Sequence, residues 1–117
     1  MAAPKVEVKR VYDEPGSRDG QRILVDRIWP RGLARDRAAL DEWMKEVAPS
    51  TELRKWYGHD RDRFSEFRRR YLGELKDAEH AEALARLRRL ARHRRVTLLT
   101  ATRDVDISAA AVLASLL

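Results

Sequence analysis

Val96-Thr97-Leu98-Leu99-Thr100 follows the charged stretch Arg92-His93-Arg94-Arg95 and leads directly into Ala101-Thr102-Arg103-Asp104. A short run that is apolar at successive positions and bounded by charge reads as a strand buried on both faces. Working outward, residues 22–28 (RILVDRI) carry a second such run. It ends at Trp29-Pro30-Arg31-Gly32, because Pro30 cannot continue a ladder and Gly32 permits a sharp change of direction. Residues 5–12 (KVEVKRVY) alternate Val6 and Val8 with charged neighbours, the period-two signal of a third strand. Pro15, Gly16 and Gly20 punctuate the link between these two.

The remaining periodicity is helical. From Asp36 to Val47 the apolar residues Leu40, Trp43, Met44 and Val47 fall at i, i+3, i+4 and i+7, which predicts a helix with one stripe facing the core. Ser50 can cap a short helix carrying Leu53, Arg54 and Trp56, with Gly58 placed to stop it. Asp60 or Asp62 can cap a helix with Phe64, Phe67, Tyr71 and Leu75 on one side. Another helix follows around Ala81–His93, and Asp104 or Asp106 can cap a last one over Ile107–Leu117. The long helical excursion before residues 96–100 suits a parallel crossover, whereas the link between the first two strands fits either direction. The expected fold class is α/β, a small mostly parallel sheet flanked by helices, in a single domain over residues 1–117.

Composition narrows the class of protein. The 117 residues contain 44% hydrophobic and 38% charged side chains and no cysteine, which fits a globular chain without disulfides, thiolate nucleophile or thiolate metal site. No apolar run approaches the roughly 20 residues of a membrane span, and the first ten residues lack the apolar stretch of a signal peptide. The expected location is cytoplasmic, with no membrane partner. The net charge is +6, from 25 Lys+Arg against 19 Asp+Glu. Residues 61–95 hold 12 cations and 6 anions, so the excess sits there, on helices whose Arg69, Arg70, Arg88, Arg92 and Arg95 occupy an outer face. Twenty of the 25 cations are Arg, Asn is absent and Ala is abundant, a bias that a GC-rich genome produces without selection for function. That face is either simply solvated or a surface for an anionic partner.

Chemistry is best placed at the strand ends. In open α/β sheets ligands bind at the carboxyl ends of the strands, where loops and helix amino termini converge. One strand ends in Asp26-Arg27 before the turn that carries Arg31, another is followed at once by Arg103 and Asp104, and the first ends near Arg10, Tyr12 and Asp13. Arg27, Arg31 and Arg103 present planar donor forks suited to phosphate or carboxylate, with Asp26 and Asp104 orienting them and the last helix adding its amino terminus. The competing reading is internal pairing of the same Asp and Arg side chains into an ion network that only orders the strand ends. His59 could act as general acid or base, or bond a helix end. His80 and His93 sit in polar helical contexts. Asp13, Asp26 and Asp104 offer weak support for a hard cation, and no metal is assigned. Ser50 lacks a nucleophile elbow, and neither a dinucleotide turn nor a phosphate loop is present, so the sequence names no cofactor. Trp29, beside Arg31, is the one tryptophan placed to stack on a base; structural packing is its other role.

Val8-Lys9-Arg10-Val11-Tyr12-Asp13, Asp19 through Gly32, Ala48-Pro49-Ser50 through Asp60, the Thr97-Leu98-Leu99 strand and Arg103-Asp104 together resemble the YeaO-like branch of the domain of unknown function numbered 488. The resemblance covers nearly the whole chain. It implies a small bacterial α/β protein and groups Arg10, Asp26, Arg27, Arg31, Arg54, His59, Arg103 and Asp104 as one candidate constellation, without supplying a reaction. Similar proteins carry Asn or His around the start of the last helix, where Ile107-Ser108-Ala109 stands here.

Three functions fit these features. The first is binding of a phosphate-bearing ligand, a nucleotide or nucleic-acid end, in the Arg/Asp cleft, with Arg10, Arg27, Arg31, Arg54, Arg103 and Asp104 as ligand-binding residues. The second is non-enzymatic binding of nucleic acid or an acidic protein through residues 61–95. The third is a hydrolase or transferase using His59 and Asp26 in the same cleft.

Overall fold

A computed structural model describes residues 6–117. Four strands form one sheet: β1 (Val6–Arg10), β2 (Gln21–Leu24), β3 (Glu42–Trp43) and β4 (Val96–Thr100). Their spatial order is β1-β4-β2-β3 and every pairing is parallel. β4 therefore lies between β1 and β2, with Leu98 opposite both Val8 and Ile23. All five of its residues are buried, as the apolar run demands.

The sheet is covered on both faces, and alternate residues divide between two cores. Ile23, Val25, Val96 and Leu98 join the principal core. On that face pack α2 (Thr51–Tyr57), α3 (Phe64–Glu74), α4 (Ala78–His93) and α5 (Ala109–Ala114), through Leu53, Phe67, Tyr71, Leu84, Leu87 and Leu113. Leu24 and Leu99 point the other way, into a smaller cluster with Val11, closed by Trp29, Leu33, Leu40 and Trp43. Below that cluster Asp19 and Arg22, both nearly enclosed, form an ion pair; Lys9 adds to it, and Arg22 donates to the Ala38 and Ala39 carbonyls. Gly20, at φ +65°, is required here, because a Cβ would stand 2.1 Å from the Arg95 carbonyl oxygen.

Several expectations need correction. The second strand, expected over residues 22–28, covers only Gln21–Leu24, so Asp26 and Arg27 lie in the loop after it and not inside the ladder. Residues 36–47 are not one helix. A single turn, α1 (Arg35–Ala38), ends at Ala39 in the left-handed region, and the chain then extends as β3 on the sheet edge. The Asp41 amide donates to the Arg22 carbonyl and the Met44 amide to that of Leu24, so the sheet takes backbone groups that a helix would have used internally. The last helix is capped by neither Asp104 nor Asp106. Residues Val105–Ile107 form a tight 3-10 turn, and Ser108 caps the six-residue α5 by accepting from the Ala111 amide. Ser50 caps α2 by accepting from the Leu53 amide and Gly58 ends it at φ +54°, as the sequence indicates, but Asp60 caps the 3-10 turn Arg61–Arg63 by accepting from the Asp62 amide, and α3 begins after Arg63 without a side-chain cap. Among the described residues no helix is long and apolar enough to cross a membrane.

Candidate functional site

Because the strands are all parallel, their carboxyl ends emerge on one side, and there a cavity of about 570 Å³ opens. The segment after β2 contributes Asp26, Arg27 and Arg31, the segment after β4 contributes Thr102 and Arg103, and α2 with its exit contributes Arg54, Tyr57 and His59. Phe67, Trp29 and Ala109 supply apolar wall. Six of the eight residues grouped from sequence thus meet on one hollow. Arg10 and Asp104 do not line it: Arg10 lies 5.1 Å over the Tyr12 ring, and exposed Asp104 precedes the 3-10 turn.

Among the described residues the cations of the hollow form no direct ion pair with its carboxylate, Asp26. Asp26 accepts from the Thr100 hydroxyl at 2.8 Å and the Ala101 amide at 2.7 Å, while its carbonyl takes the Trp43 indole N–H at 2.7 Å. Burial pushes its carboxyl above the ordinary aspartate value, against the lowering effects of the Ala101 amide, Thr100, His59 and Arg54. No guanidinium is oriented by Asp26 or Asp104. Arg27 is instead held by backbone, donating to the Pro49 carbonyl at 2.9 Å and the Ala48 carbonyl at 3.1 Å. Arg31, Arg54 and Arg103 make no side-chain hydrogen bond or ion pair among the described residues, and the Arg54 Nε is buried without a partner.

His59 is exposed and follows Gly58 with φ +57°, a second left-handed residue in succession. This conformation is uncommon outside glycine, though histidine adopts it more readily than most. Tyr57 closes the floor: its hydroxyl donates to the Ile107 carbonyl at 2.6 Å, its ring stacks on Phe67 at 4.0 Å, and burial pushes its pKa up to about 12. Ile107 and Ser108 are buried and Ser108 is committed to capping, so neither offers the cavity a polar side chain. With only six residues and its Ala111 amide taken, α5 gives no amino-terminal anion site. Asp13, Asp26 and Asp104 do not gather, and no cluster of metal-ligating side chains exists among the described residues.

Trp29 is a packing residue, edge-on to Trp43 at 5.4 Å with its N–H on the Leu33 carbonyl, although it also borders the cavity. On the helical face, Glu66 holds Arg69 and Arg70, Asp106 holds Arg61, and Arg70 lies 4.2 Å over Trp56. His80 is the residue that sequence reasoning passed over. It is 9% exposed, wedged between Asp77 and the Ala48 carbonyl. The available signal was Asp77-Ala78-Glu79-His80, a helix cap with a second donor three residues on.

The family model described as the inactive DUF488-N3 subclade matches residues 5–117. The chain belongs to this family. An uncharacterized protein of Mycobacterium tuberculosis (strain H37Rv) is 53% identical over 113 residues, 97% of this chain and 93% of the relative. The uncharacterized protein YeaO of Escherichia coli (strain K12) is 45% identical over 109 residues, 93% of each chain. No solved structure matches.

Proposed function

We propose that this protein binds a phosphate-bearing ligand, a nucleotide or a nucleic-acid end, in the strand-end cavity. The observation that carries the reading is that Arg31, Arg54 and Arg103 line one hollow without a carboxylate partner. Elsewhere Arg22, Arg61, Arg69, Arg70 and Arg86 each have one. Guanidinium groups lining one hollow are matched by an anion that accepts several hydrogen bonds at once. On the helical face Arg69 and Arg70 pair with Glu66, whereas Arg88, Arg92 and Arg95 have no carboxylate partner among the described residues, so the second reading keeps part of its charge. The family's description as inactive accords with binding in place of turnover, so the His59 and Asp26 chemistry is not needed.

The test is calorimetric titration of the wild type, Arg31→Ala and Arg103→Ala with inorganic phosphate and a nucleoside monophosphate. Each substitution removes a charge-assisted contact and weakens binding about tenfold while the fold persists. Unchanged affinity in both variants removes the proposal.

A further inference from the structure

The Val47, Ala48 and Pro49 carbonyls and the Ser50 amide, in the segment that leads into α2 and so places Arg54, are bonded by side chains. Tyr71 donates its hydroxyl to the Val47 carbonyl, and Glu74 accepts from the Ser50 amide at 2.8 Å and the Ser50 hydroxyl at 2.5 Å. Arg27 bridges the Ala48 and Pro49 carbonyls. His80 completes the set: its Nδ1 stands 2.8 and 2.9 Å from the two Asp77 carboxylate oxygens and its Nε2 stands 2.8 Å from the Ala48 carbonyl oxygen. Both ring nitrogens therefore face acceptors.

A neutral imidazole has one N–H and one lone pair. In this setting either tautomer aims its lone pair at an oxygen at hydrogen-bonding distance, and only the imidazolium donates at both ends. The Ala48 carbonyl is shared with Arg27, which lines the cavity, as does Pro49. We propose that the anion cavity is gated by protonation of His80, a positioning residue that acts through the Ala48 carbonyl on Arg27, Pro49 and the approach to α2.

The charged neighbours are consistent with a local switch. Asp77 is the carboxylate in contact, and its carboxyl is held below the ordinary value by the His80 amide and ring. The turn Lys45–Val47, packed against α4, carries Lys45 and Glu46 on its exposed side; Glu74 engages Ser50; and Arg27 approaches the same carbonyl from the cavity. The arrangement is complete when Asp77 is ionised and His80 is charged, and it is lost as pH rises and the ring gives up its proton.

The inference rests on the anion-site reading, and the experiment separates the two. Inorganic sulfate, whose charge is constant between pH 5.5 and 8.5, is titrated into the His59→Gln/Asp26→Asn variant, so that neither the cavity's own imidazole nor its carboxyl, whose pKa is raised, can contribute. Affinity falls roughly fivefold or more as pH rises across this range. When His80→Gln, whose amide donates to Ala48 without ionising, is added to that background, the profile is flat. A flat profile in His59→Gln/Asp26→Asn, or a slope that survives His80→Gln, overturns the gate. Nitrogen-15 NMR of the wild type supplies an independent readout: both His80 ring nitrogens carry protons at pH 6, and the amides of Arg27 and Ala48 follow the ring's titration. A neutral ring at pH 6 or unmoved amides overturn the gate, whereas sulfate that never binds overturns the anion site.

Discussion

Just beyond the end of β2, Asp26 is tied by two donors, the Thr100 hydroxyl and the Ala101 amide, yet burial still works against its charge. These effects are separable by substitution. Asp26→Ala leaves an amide and a hydroxyl without their acceptor and loses about 1–3 kcal/mol of stability. Asp26→Asn keeps the shape, with its oxygen on Ala101 and its amide toward Thr100, and at pH 7 it unfolds at the same or higher urea concentration than the wild type. Because folding raises the carboxyl's pKa, the folded chain binds that proton more readily than the unfolded chain. Wild-type stability relative to Asp26→Asn accordingly rises as pH falls through the raised value and is lowest above it. Urea unfolding of both proteins between pH 7 and 4.5 checks the sign, and a relative loss in acid would show that the carboxylate is stabilised by its donors on balance. Asp26 was legible because a carboxylate at the close of an apolar run falls at the strand-end side of the sheet, although the strand itself stops earlier, at Leu24. The partners of Arg27 were not, since backbone carbonyls leave no mark in the residue pattern.

At the scale of elements, residues 36–47 show why helical periodicity can mislead. Leu40 and Trp43 pack in the small cluster, whereas Met44 and Val47 pack in the principal core. Four apolar residues at helical spacing would share one stripe on a helix, but an extended segment at the edge of a doubly covered sheet can send them to opposite faces. The spacing alone does not distinguish the two, and only the pairing with β2 decides. A substitution at Ala39 does distinguish them. With φ +49° and ψ +47° it occupies a conformation that costs an alanine about 1 kcal/mol and glycine little. Ala39→Gly therefore leaves stability unchanged or raises it by up to about 1 kcal/mol, the left-handed strain being offset in part by the unfolded chain's greater freedom. Inside a continuous helix the same change would lower stability by about 1 kcal/mol. Thermal and urea unfolding settle which, and a clear loss would contradict the break at residue 39.

For the molecule as a whole, the position of the site followed from strand direction more than from any motif. Once residues 96–100 and 22–25 run parallel, Asp26, Arg31 and Arg103 must emerge together, and the helices returning over one face bring Arg54 and His59 to the same end. That convergence gathers more cations than the single carboxylate of Asp26 balances, and Arg54 carries a buried Nε–H with no acceptor among the described residues. A buried unsatisfied donor costs about 1–3 kcal/mol, so the placement of the Arg54 guanidinium is maintained at the expense of stability. Arg54→Met, which keeps the aliphatic stem and removes the charged head, should raise the unfolding midpoint in a buffer without multivalent anions. Added phosphate should then reverse the order: an anion bound at about 100 times its dissociation constant contributes roughly 2.7 kcal/mol to the wild type, and less to the variant that lacks the donor. Denaturation of both proteins across a phosphate series, at constant ionic strength set with chloride, reads the crossing directly. Parallel curves would mean that Arg54 takes no part in holding the anion, and a variant less stable without phosphate would mean that its guanidinium is already satisfied within the fold.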